Sequence, residues 1–243
     1  MHHIYLSPHL DDAILSCGGL IAQQRKAGID VEIWNWVTNV PDDDMPLSEL
    51  ARSVHAEWEF DSAKEAFTAR LEEDRQAASR VDAKTRGFDY LDCIYRQADD
   101  GTFLYPEEIF VPVRKEDTPI IAEIAAQING NLRPGDVLVS PLSIGKHPDH
   151  VLVRRAAEQT GYPLRYYADI PYTIWHPDQF AAQTAGLVSE RMPISREELS
   201  VWQDAVSAYT SQMTALFLNE EMMRTAIQRY WEAQQGIVLF SQR

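Results

Sequence analysis

The chain has 243 residues and a formal net charge of −15, with 22 Lys and Arg against 37 Asp and Glu. That balance argues against nucleic acid, whose affinity comes largely from cations that neutralise phosphates, and against an anionic membrane surface. The length suffices for a well-buried α/β core, and no linker, low-complexity tract or repeat divides it, so a single domain over residues 1–243 is expected.

Residues 2–6 predict a short first strand. Residues 12–26 predict a helix, with Ala13, Ile14, Leu15, Leu20 and Ile21 apolar and Gly28 just past its end. No basic segment leading into an apolar stretch precedes them, which predicts no signal peptide and a cytoplasmic protein. No apolar run reaches the ~20 residues that span a bilayer. Residues 31–37 predict a second strand, parallel to the first through a right-handed crossover, with Trp34 and Trp36 in the core. Residues 39–46 predict a polar loop. Its Asp42-Asp43-Asp44 reads as solvated, because no spaced oxygen-ligand pattern with a turn glycine accompanies it.

Residues 49–86 predict helix, broken near Phe60-Asp61 and ended by Gly87, with His55 on its surface. Residues 88–95 return as a strand. Residues 96–118 are polar and Pro-containing and predict a lid or insertion. Then come a helix at 119–132 with Pro early, a strand at 137–140, a helix at 148–160 and a strand at 164–168. A helix at 195–209 opens on Ser195 and Glu198 in a capping-box pattern, and another follows at 216–233. The alternation predicts a three-layer, Rossmann-like α/β fold with a mostly parallel central sheet flanked by helices. Cys17 and Cys93 sit in apolar surroundings and read as small, reduced, buried residues.

Two clusters carry the chemistry. Ser7-Pro8-His9-Leu10-Asp11-Asp12 follows the apolar run Ile4-Tyr5-Leu6, and Lys146-His147-Pro148-Asp149-His150 follows Val137-Leu138-Val139. Sites in open α/β sheets form at the carboxyl ends of strands, so the clusters are expected to face one pocket. Two histidines and one carboxylate make a catalytic zinc set with an open position for water. His9 and Asp12, three apart across a strand-to-helix turn, can converge on one ion. Asp11 cannot easily share that direction and stands where a general base should be. One imidazole of the second cluster should complete the site. The other is free to act as general acid or oxyanion stabiliser, with Asp149 placed to orient an imidazole. Gly18-Gly19 predict close packing of the first helix against sheet or ligand, since glycine costs about 1 kcal/mol there. Tyr166, Tyr167 and Tyr172 suit either a sugar pocket or packing. His176-Pro177-Asp178 echoes the second motif but lacks its second histidine, and reads as loop.

The paired motifs resemble those of the LmbE-like, or PIG-L, family of zinc-dependent N-acetylglucosamine deacetylases. Arg70 with Glu73-Asp74, the stretch Leu91-Asp92-Cys93-Ile94-Tyr95-Arg96, the run Ser140 to Gly145 and Tyr167-Ala168-Asp169-Ile170-Pro171-Tyr172 extend the resemblance over most of the chain. The resemblance implies that His9, Asp12 and His150 bind zinc, a set that iron, cobalt or manganese would also accept. It implies Asp11 as general base, His147 as acid or oxyanion stabiliser, and Asp149 behind an imidazole. Arg70, Asp92 and Arg96 would contact the sugar or its aglycone. Leu10 and Ala13 stand where the family commonly has Pro and Glu; neither change removes a ligand. Where some members carry an oxyanion-steadying tyrosine before the second motif, this chain has Ile144-Gly145-Lys146, which passes that role to His147, Lys146 or a residue from elsewhere. The expected substrate is a small molecule or glycoconjugate, with specificity set by residues 39–57 and 96–118 and homo-oligomerisation left open. Two other readings stand beside it: an amidase for a non-sugar N-acyl substrate, and a catalytically silent sugar-binding protein. The presence of Asp11 argues against the silent protein.

Overall fold

A computed structural model describes residues 2–243. Its centre is a seven-stranded sheet in the order β3-β2-β1-β4-β5-β7-β6. β1 (His2–Ser7), β2 (Asp30–Val37), β3 (Lys84–Tyr90), β4 (Val137–Pro141) and β5 (Leu164–Tyr167) run parallel. β7 (Ile237–Ser241) pairs antiparallel with both β5 and the edge strand β6 (Val188–Met192). The sheet is therefore mixed, mostly parallel and helix-flanked, as the alternation predicts.

Side-chain alternation divides the sheet between two layers. Tyr5, Val31, Ile33 and Val139 point into a core with α1 (Asp12–Lys26), α3 (Ala63–Arg80), α8 (Arg196–Val206) and α10 (Glu220–Gln234). Ile4, Leu6, Trp34, Trp36 and Leu138 point the other way, against α4 (Pro119–Asn131) and α5 (Pro148–Gln159). The two tryptophans are core residues, as expected.

Four expectations need correction. The helical stretch over 49–86 breaks near Phe60-Asp61 as expected, into α2 (Glu49–Glu57) and α3, but α3 stops at Arg80 rather than running to residue 86. Gly87 lies inside β3, an edge strand whose first four residues are exposed, so no hydrophobic alternation announces it. The helix expected over 216–233 starts later, as α10 at Glu220; a separate helix, α9 (Thr210–Phe217), precedes it, and the two part where Leu218 turns at φ +70° and Asn219 caps α10. His55 is buried on α2, where its Nε2 meets the Tyr95 hydroxyl at 2.5 Å. The glycine pair in α1 packs against α8, not against sheet or ligand: a Cβ at Gly18 would stand 2.6 Å from Trp202 Cδ1, and one at Gly19 2.5 Å from Ile194 Cδ1.

The segment 96–118 is anchored rather than loose. Arg96 binds Asp117 through Nε and Nη2 at 3.1 and 2.8 Å, and Tyr105 donates to the same carboxylate at 2.8 Å. Asp42 to Asp44 are exposed, with Lys64 on Asp43. Cys17 and Cys93 are buried free thiols. His176 precedes the short helix α7 (Pro177–Thr184), which follows α6 (Tyr172–Trp175). No helix among the described residues is long and apolar enough to cross a membrane.

Candidate active site

From β1 the chain order proceeds outward through β2 and β3, then returns to β4 on the other side of β1. The carboxyl ends of β1 and β4 therefore flank a topological switch point, where α/β sheets place their crevices. His9 and Asp12 follow β1, His147 to His150 follow β4, and Asp169 follows β5.

Local backbone delivers these groups. Asp11 occupies the N-cap position of α1, yet its side chain makes no capping bond. Its carboxylate is left for the pocket. Asp12, the first residue of α1, accepts the His9 amide at 2.7 Å, which closes the turn and sets the two side chains together. After β4 the chain coils tightly through Ser143, Gly145 and Lys146, all at positive φ. Gly145 permits this bend, because a Cβ there would press on the Tyr172 ring at 3.0 Å. His147 then caps α5, its Nδ1 accepting the Asp149 amide at 3.3 Å, and Pro148 opens the helix.

His9, Asp12 and His150 converge. His9 Nδ1 and His150 Nε2 each lie 3.2 Å from an Asp12 carboxylate oxygen. The opposite nitrogens are held by other carboxylates: His9 Nε2 donates to Asp149 at 3.1 Å and His150 Nδ1 to Asp169 at 2.8 Å. This fixes both tautomers with lone pairs turned toward Asp12, the arrangement that outer carboxylates impose on metal-binding imidazoles. His150 Nε2 is close to Asp12 but not aligned with it, and remains a buried nitrogen without a hydrogen bond. His147 also offers a ring nitrogen within 4.8 Å of His9 and His150 donors, and Asp11 a carboxylate oxygen within that distance of His9 and Asp12 donors.

The electrostatics fit a cation. Burial opposes charge on every group here. In His9 the hydrogen bonds of Asp12 and Asp149 outweigh burial and raise the pKa well above the ordinary value. In His150 burial is outweighed by the Asp12 charge and by the hydrogen bond and charge of Asp169, and the pKa rises to about 9. Asp12, despite burial, is held well below the usual carboxylate range, chiefly by His150. A site that draws protons onto two imidazoles in this way is a negative well that a divalent ion would occupy in their place. Asp11 differs: burial and the neighbouring Asp12 charge raise its pKa, with Arg70 Nη2 at 3.7 Å opposing. Burial and the His9 charge push His147 well below the ordinary imidazole value.

The pocket is a cavity of about 240 Å³ lined by His9, Asp11, Asp12, Arg70, Asp92 and His147, with an aromatic rim of Trp58, Phe110, Tyr172 and Trp175. Arg70 rests over the Trp58 ring at 4.6 Å. Two expected contacts change place. Arg96 does not line the pocket; it spends its guanidinium on Asp149, at 2.5 Å, and on Asp117. It holds the carboxylate that holds His9. Lys146 is exposed and outside the lining, which leaves His147 facing the pocket. Of the three tyrosines only Tyr172 lines it, whereas Tyr166 and Tyr167 are core. Asp169, Trp58, Trp175 and Gln212 are site residues to which the sequence assigned no role. Asp169 had a usable signal, since it closes the Tyr167-Ala168-Asp169 end of a predicted strand. Glu73 and Asp74 are structural: Glu73 accepts from Thr210 and Ser211 at the start of α9, and Asp74 accepts from Asn35 and meets the Tyr209 hydroxyl at 3.3 Å.

The family model described as PIG-L, GlcNAc-PI de-N-acetylase, matches residues 4–160. The 2′-N-acetylparomamine deacetylase of Niallia circulans is 26% identical over 188 residues, which cover 71% of this chain and 68% of that protein. Its namesake from Streptomyces fradiae is 29% identical over 180 residues, 70% of this chain and 57% of that protein. The structure of the zinc-inhibited form of teicoplanin deacetylase Orf2 superposes with a TM-score of 0.85 at 25% identity, covering 99% of this chain and 97% of its own.

Proposed function

The chain belongs to the PIG-L family, and we propose that it is a metal-dependent hydrolase that removes the N-acetyl group of an N-acetylglucosamine-containing conjugate. One observation carries the reading: His9 and His150 have their outer nitrogens tied to Asp149 and Asp169 while their inner nitrogens face Asp12. His9, Asp12 and His150 would hold the ion, zinc or another divalent transition metal. Bound there, it supplies a Lewis acid that acidifies water and polarises the amide carbonyl.

The remaining residues divide the proton work. Asp11, with its raised pKa and no capping duty, takes the proton of the attacking water and later returns it toward the departing amine. Arg70 keeps that carboxylate aimed at the pocket. His147 is neutral and its Nδ1 is occupied by the Asp149 amide, so its proton sits on Nε2. It can then donate to the oxygen that becomes negative as the carbonyl is attacked. The amide carbon–nitrogen bond breaks, and acetate and the free amine leave. Asp92 and Arg70 contact the sugar; Arg96 serves through Asp149. Val54 and Glu57 from the 39–57 segment and Ile109 and Phe110 from the 96–118 segment reach the pocket, which supports their role in specificity. The names of the relatives, deacetylases of 2′-N-acetylparomamine and teicoplanin, favour an amino-sugar conjugate over a non-sugar amide.

The test combines metal analysis with acetate release from N-acetylglucosaminides. The protein should carry about one zinc-class ion per chain, lost in His9→Ala, Asp12→Ala and His150→Ala. Asp11→Asn should retain the ion and lose about 10²-fold or more in turnover. Full occupancy in the three alanine variants, or normal turnover in metal-loaded Asp11→Asn, overturns the assignment.

A further inference from the structure

Beside the active-site pocket lies a second, larger trough of about 720 Å³ between the α6–α7 segment and helices α9 and α10. The two are continuous, because Trp175, Ala215 and Leu216 line both. The trough is apolar and open. Six large hydrophobic side chains are exposed among the described residues, and four of them line it: Ile174, Trp175, Leu218 and Met222. A fifth, Phe110, stands on the rim of the pocket itself. Exposed apolar side chains are ordinary when scattered, but a contiguous patch marks a binding surface. Its form is built into the backbone: α9 ends at Leu218 with φ +70°, which turns α10 away and leaves Leu218 72% exposed at the edge.

Charge narrows the occupant. The chain carries −15 overall, yet no Asp or Glu lines the trough. Its one charged lining residue is Arg229, which is exposed and forms no ion pair among the described residues. An aglycone bearing several amines would find no counter-charge here and one repelling cation. An apolar, aromatic-rich aglycone would be desolvated on both walls. We infer that this trough is the aglycone subsite, and that the substrate is an N-acetylamino sugar carried on a bulky apolar aglycone. This rests on the deacetylase reading of the adjoining pocket and names its substrate class.

The experiment compares acetate release from methyl and biphenyl-4-yl N-acetyl-β-glucosaminides by the metal-loaded protein. The biphenylyl glycoside should show a kcat/KM about tenfold higher, carried by KM. Met222→Glu, placed in the first turn of α10 where an acid is well tolerated, should bring the ratio toward one at an unaltered melting temperature. Equal kcat/KM for the two glycosides in the wild type, or a ratio untouched by the variant, overturns the inference. If neither glycoside releases acetate, the deacetylase reading fails separately. The trough is then judged by calorimetric binding of biphenyl-4-yl glucosaminide, which should weaken about tenfold in Met222→Glu; absent or unchanged binding overturns it. A dimer, or binding to neutral lipid vesicles, that Met222→Glu abolishes while the glycoside ratio stays at one also overturns it and assigns the face to that occupant.

Discussion

His147 turns the two ends of one ring to different surroundings. Its Nδ1 caps α5 through the Asp149 amide, and its Nε2 faces the pocket beside Cys93 Sγ at 3.8 Å. Capping alone would make His147→Ala lose about 1 kcal/mol and stay active. Donation to a developing oxyanion makes the same variant lose about 10²–10³-fold in kcat with KM and metal content little changed. His147→Gln, which can still donate from its amide, should recover part of that loss. Measuring kcat and melting temperature on one preparation separates the roles, and a fully active alanine variant ends the catalytic one. Asp169 gives a second prediction. It holds His150 Nδ1 at 2.8 Å while its other oxygen accepts the Ile144 amide at 3.1 Å. Asp169→Asn should weaken metal affinity by about 10- to 100-fold without removing a ligand; titration with a competing chelator reads this directly, and unchanged affinity refutes the support role. The contrast shows what the sequence could tell. His9, Asp11, Asp12 and the His147–His150 cluster were legible because each set is packed into a few consecutive residues. The pairing of Asp149 with His9 across 140 positions, and of Asp169 with His150, depends on β1, β4 and β5 lying side by side, which local pattern does not encode.

The helix α1 and strands β1, β2, β4 and β5 were readable because their apolar residues form compact runs bounded by polar or turn residues. Edge elements were not: β3 begins with exposed Lys84-Thr85-Arg86, and β6 is exposed through its first four residues, so neither offers a buried face to detect. The capping box at Ser195 and Glu198 is present as predicted and sets the start of α8. That helix explains the glycines of α1. Trp202 lies against Gly18 and donates its indole N–H to the Ile14 and Leu15 carbonyls at 2.8 and 3.1 Å. The indole thus bonds carbonyls of the helix it covers, and a methyl group at Gly18 would displace it. Alanine improves helix propensity by about 1 kcal/mol, but overpacking a tight contact costs about 1–3 kcal/mol. With both in play, Gly18→Ala should lower stability in chemical denaturation, and Gly18→Ala with Trp202→Phe should recover part of the loss. A Gly18→Ala variant more stable than the wild type would show that α8 yields and that the glycine is not there for packing.

The acidity of the protein reaches inward as well as outward, and one buried carboxyl makes stability depend on pH. Asp74 on α3 accepts from Asn35 on β2 at 2.8 Å and faces the Tyr209 hydroxyl at 3.3 Å, and that hydroxyl also lies 3.1 Å from the Leu10 carbonyl between the candidate ligands. Tyr209 has one proton. If it goes to Leu10, Asp74 must supply the proton of the other contact. Burial, with the nearby Asp11 charge adding to it and the hydrogen bonds opposing, raises the Asp74 pKa to about 7. In the unfolded chain it would titrate near 3.9. Between those values the folded protein binds the extra proton, so this group makes stability fall as pH rises from about 4 to about 7, with no further loss above. Asparagine copies the protonated acid: its oxygen accepts from Asn35 and its amide donates to Tyr209. Asp74→Asn should therefore gain on the wild type as pH rises, with the difference in melting temperature moving in its favour from pH 5 to pH 8 and flat beyond. Burial raises Asp11 and Asp169 as well, and subtraction of the two curves at matched metal content cancels what they contribute. A difference independent of pH would mean that Asp74 is ionised throughout and that Tyr209 gives its proton to Asp74 rather than to Leu10.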